Sequence, residues 1–176
     1  MHKKVALISL LIILGLVNWS ILEKEKHLAE GRVVYLKLMP VDPRSIMQGD
    51  YMALRFYLAA EVYKVLPKVE KSGQRKKGII ASDGYVVVGL DKKNIGTYKR
   101  LYKNEELSPD ELLMRYRVRN DKVKFATNAF FFQEGHAHYY EKAQYGQFRV
   151  DDNGELLLSG LYDNELKRLQ PEVRNN

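Results

Sequence analysis

Leu112-Leu113-Met114-Arg115-Tyr116-Arg117-Val118-Arg119 decides the fold of this chain. Leu112, Met114, Tyr116 and Val118 fall on one side of a two-residue period, and Leu113, Arg115, Arg117 and Arg119 on the other. That alternation predicts a strand with one buried and one solvated face. Asn120-Asp121 follows as a turn, and Lys122 to Phe132 returns as a second strand. The pattern repeats outward in both directions. YVVVGLD (85–91) and IGTYKRLY (95–102) flank Lys92-Lys93-Asn94, where Asn94 tolerates a positive φ. GQFRVDD (146–152) and ELLLSGLY (155–162) flank Asn153-Gly154, a strong hairpin signal. Further strands are predicted over 32–39, ended by Pro40, and over 51–58. Residues 59–66 fit either a continued strand or a helix. Ser108-Pro109-Asp110-Glu111 predicts a cap that starts a helical turn, and Asp163-Asn164-Glu165 predicts another before Pro171. The fold class is mainly β (α+β): one small domain over 32–170, built of hairpins with short helical turns, and a tail at 171–176.

The composition narrows the function classes. The chain has 176 residues, 29 Lys+Arg against 22 Asp+Glu, a net charge of +7 and no cysteine. Disulfide scaffolds, thiol nucleophiles and cysteine-ligated metal sites are excluded. An apolar block opens the chain. His2, Lys3 and Lys4 precede the uncharged run Val5–Leu22, which as a helix is about 27 Å long, enough to cross a hydrocarbon core. Ser9, Asn18 and Ser20 can bond to the helix backbone or lie near an interface. Trp19 sits near the polar end, where an indole prefers to be. Glu23-Lys24-Glu25-Lys26 stops the run, and 23–31 reads as a polar juxtamembrane extension.

After Gly15 no pair of small residues stands where a signal peptidase would cut, so an uncleaved signal anchor is expected. It would contact membrane lipid through residues 5–22. Lys3, Lys4 and the terminal amine place residues 1–4 in the cytoplasm. The domain would then stand outside the cytoplasmic (inner) membrane, in the periplasm of a Gram-negative source. All the acids and all but two of the bases lie after Leu22. Residues 67–78, PKVEKSGQRKKG, hold much of the excess positive charge and are read as a solvated hairpin tip. The functional alternative is a patch for anionic headgroups or an acidic partner. A nucleic-acid partner is not expected, because no aromatic residue is interleaved with these bases.

The most informative stretch is Met39 to Leu58, MPVDPRSIMQGDYMALRFYL. It reads as a strand–turn–strand corner. Asp42 is a helix N-cap, Pro43 fits the first helical position, and Arg44 to Gln48 would make one helical turn. Gly49 would end that turn, and Asp50 would bond nearby amides. Tyr51, Ala53 and Arg55 would then face one way, and Met52, Leu54 and Phe56 the other.

This corner resembles the GDYXXLXY family of bacterial membrane-anchored proteins. The name motif stands here as Gly49-Asp50-Tyr51-Met52-Ala53-Leu54-Arg55-Phe56, with phenylalanine in place of the last tyrosine and Tyr57 adjacent. Pro40-Val41-Asp42-Pro43-Arg44-Ser45 upstream is similar to the family pattern. So are Phe132-Gln133-Glu134-Gly135, then Tyr140-Glu141, then Phe148-Arg149-Val150 and Gly154. The resemblance implies location and architecture rather than chemistry: an accessory protein found beside, or fused to, multi-span membrane proteins.

Two stretches invite chemistry. His136 and His138 would share a face on a strand and could then bind zinc or copper. The run EGHAHYYEKAQ reads instead as a helical turn, the H-E-x-x-H spacing is absent, and ordinary surface histidines are expected, with no cofactor. Ser45 lies too close to Gly49-Asp50 for the signal-peptidase pattern and has no clear lysine base, so it is a turn residue. The expected function is an interaction or assembly module acting with an integral-membrane partner, and not an enzyme. The alternative is a ligand-binding or hydrolytic domain with a site between the Asp42–Tyr51 corner and the Glu134–Glu141 block.

Overall fold

The computed structural model describes residues 2–40, 47–48, 51–70 and 77–171. It is mainly β behind one N-terminal helix. Helix α1, His2–Glu30, runs unbroken through the apolar block and the charged turns after it. Its side chains from Leu7 to Leu22 are all exposed. The helix has the length and composition to cross a membrane, as an anchor or a signal sequence has. Asn18 Nδ2 donates to Leu14 O at 2.8 Å, so its amide bonds to the helix backbone.

Strands and helix follow in the order β1 Arg32–Lys37, β2 Met47–Gln48, β3 Tyr51–Ala53, α2 Tyr57–Val65, β4 Lys68–Glu70, β5 Lys77–Ile79, β6 Asp83–Leu90 and β7 Gly96–Leu101. Then come β8 Glu111–Arg119, β9 Lys122–Lys124, β10 Ala129–Phe131, a 3-10 turn at Ala137–Tyr140, β11 Tyr145–Val150, β12 Leu156–Tyr162 and β13 Arg168–Leu169. Two four-stranded antiparallel sheets dominate, ordered β1-β11-β12-β13 and β7-β6-β8-β9. They meet at two joints. At the first, Tyr35 N–H donates to Asn94 O at 2.9 Å and forms a single parallel bridge with Ile95. At the second, Arg115 N–H donates to Gly154 O at 2.8 Å, and the Arg115 guanidinium pairs with Glu155. The sheets therefore curl into half-barrels around one core. Val34 and Leu36 of β1, Val86 and Val88 of β6, Met114 and Val118 of β8, and Phe148 of β11 fill it. Gly96 is required at the first joint: a Cβ there would lie 2.9–3.0 Å from Val88, Leu36 and Val34.

Local chemistry makes the turns. Asp91, Asp151 and Asp163 each open a hairpin connection in the same way. The carboxylate accepts backbone N–H bonds from the residues two and four positions on, at 2.8–3.0 Å. The residue three positions on takes a positive φ: Asn94 at 59°, Gly154 at 76° and Leu166 at 61°. Asx-type bonding of this kind offers the chain a turn in place of a ladder or helix. Asn120 and Asp121, at φ 52° and 59°, make the two-residue turn between β8 and β9 that hairpin twist favours.

The strand pattern of residues 111–119 holds, with Leu112, Met114, Tyr116 and Val118 buried. Five local predictions fail. The strand over 51–58 ends early, because Leu58, Val62 and Leu66 recur at helical spacing and bury one face of α2. Leu66 is extended before Pro67 and stops that helix. Met47–Gln48 is a strand paired to β3, so the last two residues of the helical turn predicted over 44–48 are not helical, and 44–46 lie outside the described residues. With Gln48 opposite Tyr51, only Gly49 and Asp50 separate the two strands. Ser108–Glu111 is a tight turn: Glu111 N–H donates to Ser108 O and its carboxylate bonds back to Ser108 N–H, and β8 begins at once. Asp163–Glu165 is a hairpin turn into β13. Residues 122–132 form two strands, because at Ala126 (φ 43°) the chain leaves β8 and crosses to β3. Lys68–Glu70 and Lys77–Ile79 pair antiparallel as β4 and β5.

Candidate functional site

The two motif blocks, about eighty residues apart in the sequence, meet through one strand pairing. β10 lies antiparallel to β3, with Phe131 opposite Tyr51, Phe130 opposite Met52 and Ala129 opposite Ala53. Alternation sorts the side chains as predicted. Met52, Leu54 and Phe56 are buried, while Tyr51 and Arg55 are exposed. Leu54 N–H donates to Asn128 O at 2.7 Å, which ties the corner to the end of β9–β10. Phe56 stacks edge-on against Phe148 at 5.4 Å and is 1% exposed. The position where the name motif carries tyrosine is thus an apolar core site here, where a hydroxyl would need a buried partner.

On the outer side, Tyr51 and Phe131 touch with ring centroids 5.8 Å apart. Phe131 is 74% exposed, an unusual place for so large an apolar ring. The Glu134–Glu141 block splits. Gly135 takes φ 81° in the turn after β10, and Glu134 and Glu141 face solvent. Tyr140 turns inward from the 3-10 turn and packs against Phe130 at 5.0 Å and Phe132 at 5.3 Å. Burial raises its phenol pKa. His136 and His138 flank Tyr139 at 5.5 and 4.0 Å, and His138 Nδ1 lies 3.1 Å from Gly135 O. Among the described residues no group of three or more His, Asp or Glu side chains could hold a metal ion. Asp42, Pro43, Arg44, Ser45, Gly49 and Asp50 lie outside the described residues.

This corner sits at one pole of the domain. β1 leaves α1 at Arg32, and just past its far end Leu38 bridges Phe56. The opposite pole holds a joint that sequence reasoning missed. His27, in the last turn of α1, is 8% exposed. Its Nε2 lies 3.0 Å from Arg149 O, and since a carbonyl only accepts, that nitrogen carries the proton. Asp151 Oδ2 lies 3.9 Å from Nδ1. Arg149 Nη1 donates to Gly31 O at 3.1 Å, so helix and sheet are bonded in both directions. The available signal was a lone histidine one turn before a glycine, at the end of a run of charged residues. A groove of about 570 Å³ opens beside this joint, between α1, β8 and the β11–β12 turn, lined by Glu23, Lys26, Glu30, Arg32, Glu111 and Asp152 among others. Arg32 spans it, donating to Pro109 O at 3.3 Å and Glu111 O at 3.4 Å. Glu111 is held ionised below the usual carboxylate range by its hydrogen bonds from Arg100 and from Ser108 N–H.

No curated protein and no solved structure matches the chain. A family model described as GDYXXLXY protein matches residues 13–161, from within α1 to the end of the β11–β12 hairpin. The exposed aromatic pair at the β3–β10 crossing, the buried Leu54 beside it and the turn that carries Glu134 all fall inside that span. The chain belongs to the GDYXXLXY family.

Proposed function

We propose that this chain is a single-pass membrane protein whose β domain stands outside the cytoplasmic membrane and serves as an interaction or assembly module for an integral-membrane partner. α1 would be the uncleaved anchor, with Lys3 and Lys4 on the cytoplasmic side. The observation that carries the reading is the bonded joint at His27. α1 passes from exposed apolar turns to a buried contact with β11 and has no flexible linker between them. An anchor that serves only as a tether needs no such contact. A docked one fixes the domain's orientation relative to any helix packed against α1 in the bilayer. At the far pole Tyr51 and Phe131 offer an exposed aromatic pair, the residue class that dominates protein contacts. Tyr140 is committed to the core, while Glu134 and Glu141 face solvent, which favours contact over hydrolysis.

Affinity purification from membranes with the anchor intact tests this. An integral-membrane protein should be recovered with the native chain and lost with Tyr51→Ser/Phe131→Ser. Recovery of no membrane protein, together with a tightly bound small molecule, would sink the reading. A reporter fused after Asn176 should be active only outside the cytoplasm.

A further inference from the structure

We propose that the pole remote from α1 is a cationic docking surface, built on the β8–β9 hairpin, for an acidic segment of a protein partner. The inference rests on the interaction reading above and gives its partner a chemistry. In the β8–β9 register Arg117 faces Lys124 and Arg119 faces Lys122. Like charges directly opposite one another on a strand pair are destabilising, so two such pairs side by side are costly to the isolated fold. Few acids relieve them. Asp83 takes both Arg119, at 2.8 Å, and Arg115, at 3.2 Å. Arg117 donates to a carbonyl, Ala126 O at 3.0 Å, and forms no ion pair among the described residues. Arg117, Arg119 and Lys122 are exposed, and no ion pair is formed by Lys122 or Lys124 among the described residues.

A second strand pair is pinned to the same pole. Ile79 N–H donates to Asp121 Oδ1 at 2.8 Å, which holds the end of β5 beside the β8–β9 turn and brings Lys68, paired with Ile79, to this end. The corner that carries Tyr51 and Phe131 also lies away from α1, past the far end of β1 where Leu38 bridges Phe56, and Phe125 to Asn128 connect β9 to it.

Position decides which anion fits. Glu111 starts β8 in the groove beside α1, and Arg119 ends it about 26 Å further along the strand. That is about three times the Debye length of about 8–10 Å, so headgroups at the foot of α1 would be screened from these bases. A carboxylate-bearing segment held out from the membrane is the fitting occupant, and the arginine forks suit carboxylates.

The test uses the full chain, anchor included, purified from native membranes as wild type and as R117Q/K122Q/K124Q. Far-UV circular dichroism checks that the variant folds. The co-purified integral-membrane protein should fall about tenfold in the variant at low salt, and raising salt should release it from the native chain, as screened charge contacts require. The salt titration needs no variant. Equal recovery by both chains, unmoved by salt, would overturn this inference and leave the interaction reading standing. Recovery of no membrane protein even by the native chain would overturn that earlier reading and this one with it. Binding of the native chain to phosphatidylglycerol vesicles, lost in the variant, would assign the surface to lipid and overturn the protein partner. Self-association of the variant with unchanged partner recovery would show that the lysines only guard the β9 edge, and would overturn it too.

Discussion

His27 of α1 holds Nε2 3.0 Å from the carbonyl oxygen of Arg149 in β11, and Gly31 between them makes the approach possible. A Cβ on Gly31 would lie 2.5 Å from His27 O and 3.1 Å from Arg149 Cβ. Gly31→Ala therefore has to push α1 off the sheet. The joint should open, with a loss of about 1–3 kcal/mol typical of a displaced buried polar contact. Limited proteolysis across residues 28–32 should accelerate. An unchanged cleavage rate would show that the joint is not held by this contact.

Leu166 occupies the turn position that Asn94 and Gly154 fill in the two sister turns, and it does so at φ 61°. A branched side chain in the left-handed region is strained, whereas asparagine tolerates it. Leu166→Asn should stabilise the domain by about 0.5–1 kcal/mol, read as a higher thermal midpoint. A lower midpoint would mean that Leu166 contributes more by packing than the strain costs.

Acid should weaken the sheet β7-β6-β8-β9. Hydrogen bonds from Arg119 hold the Asp83 carboxyl below its ordinary pKa, and Arg100 does the same for Glu111. A carboxylate whose folded pKa is depressed contributes its stability above the unfolded pKa and loses it as pH falls through the folded value. Thermal midpoints should be level near neutrality and decline below about pH 5, where free carboxylates begin to protonate. Glu111→Gln should lower the neutral plateau and flatten that decline. A variant whose midpoint falls as steeply with acid as the native chain's would exclude the Arg100 pair as the cause.

Leu54 and Phe131 belong to the same corner but should respond oppositely. Leu54 is 2% exposed, and Leu54→Ala should cost about 2–5 kcal/mol as a buried cavity. Phe131 is 74% exposed, and Phe131→Ser should move stability by no more than about 0.5 kcal/mol. Urea denaturation of both variants checks this. A large loss for Phe131→Ser would make that ring a structural element and remove it from the contact surface.

The readable parts of this fold were those in which one local pattern is enough. The 112–119 alternation, the turn at Asn120-Asp121, the positive φ of Asn94 and the glycine turn before Glu155 all follow from two-residue periodicity and turn chemistry. The failures share a cause as well. Asp163 and Ser108 carry signals that serve a helix cap and a hairpin turn equally, because an acceptor reaching nearby N–H groups suits both. Tyr57-Leu58 continued an apolar strand pattern until the spacing of Leu58, Val62 and Leu66 took over.

The sequence by itself determined the N-terminal apolar helix, the β class of the remainder and the family. Each depends on composition, period or a contiguous motif. Only the tertiary structure decided that β3 pairs with β10, that His27 bonds to β11, and that Arg117 and Lys124 face each other. Those contacts join residues far apart in the chain, and many registers would satisfy the same local alternation. Burial of one shared core by two curled sheets selects among them, because a one-residue slip would turn Met114 and Val118 out to water.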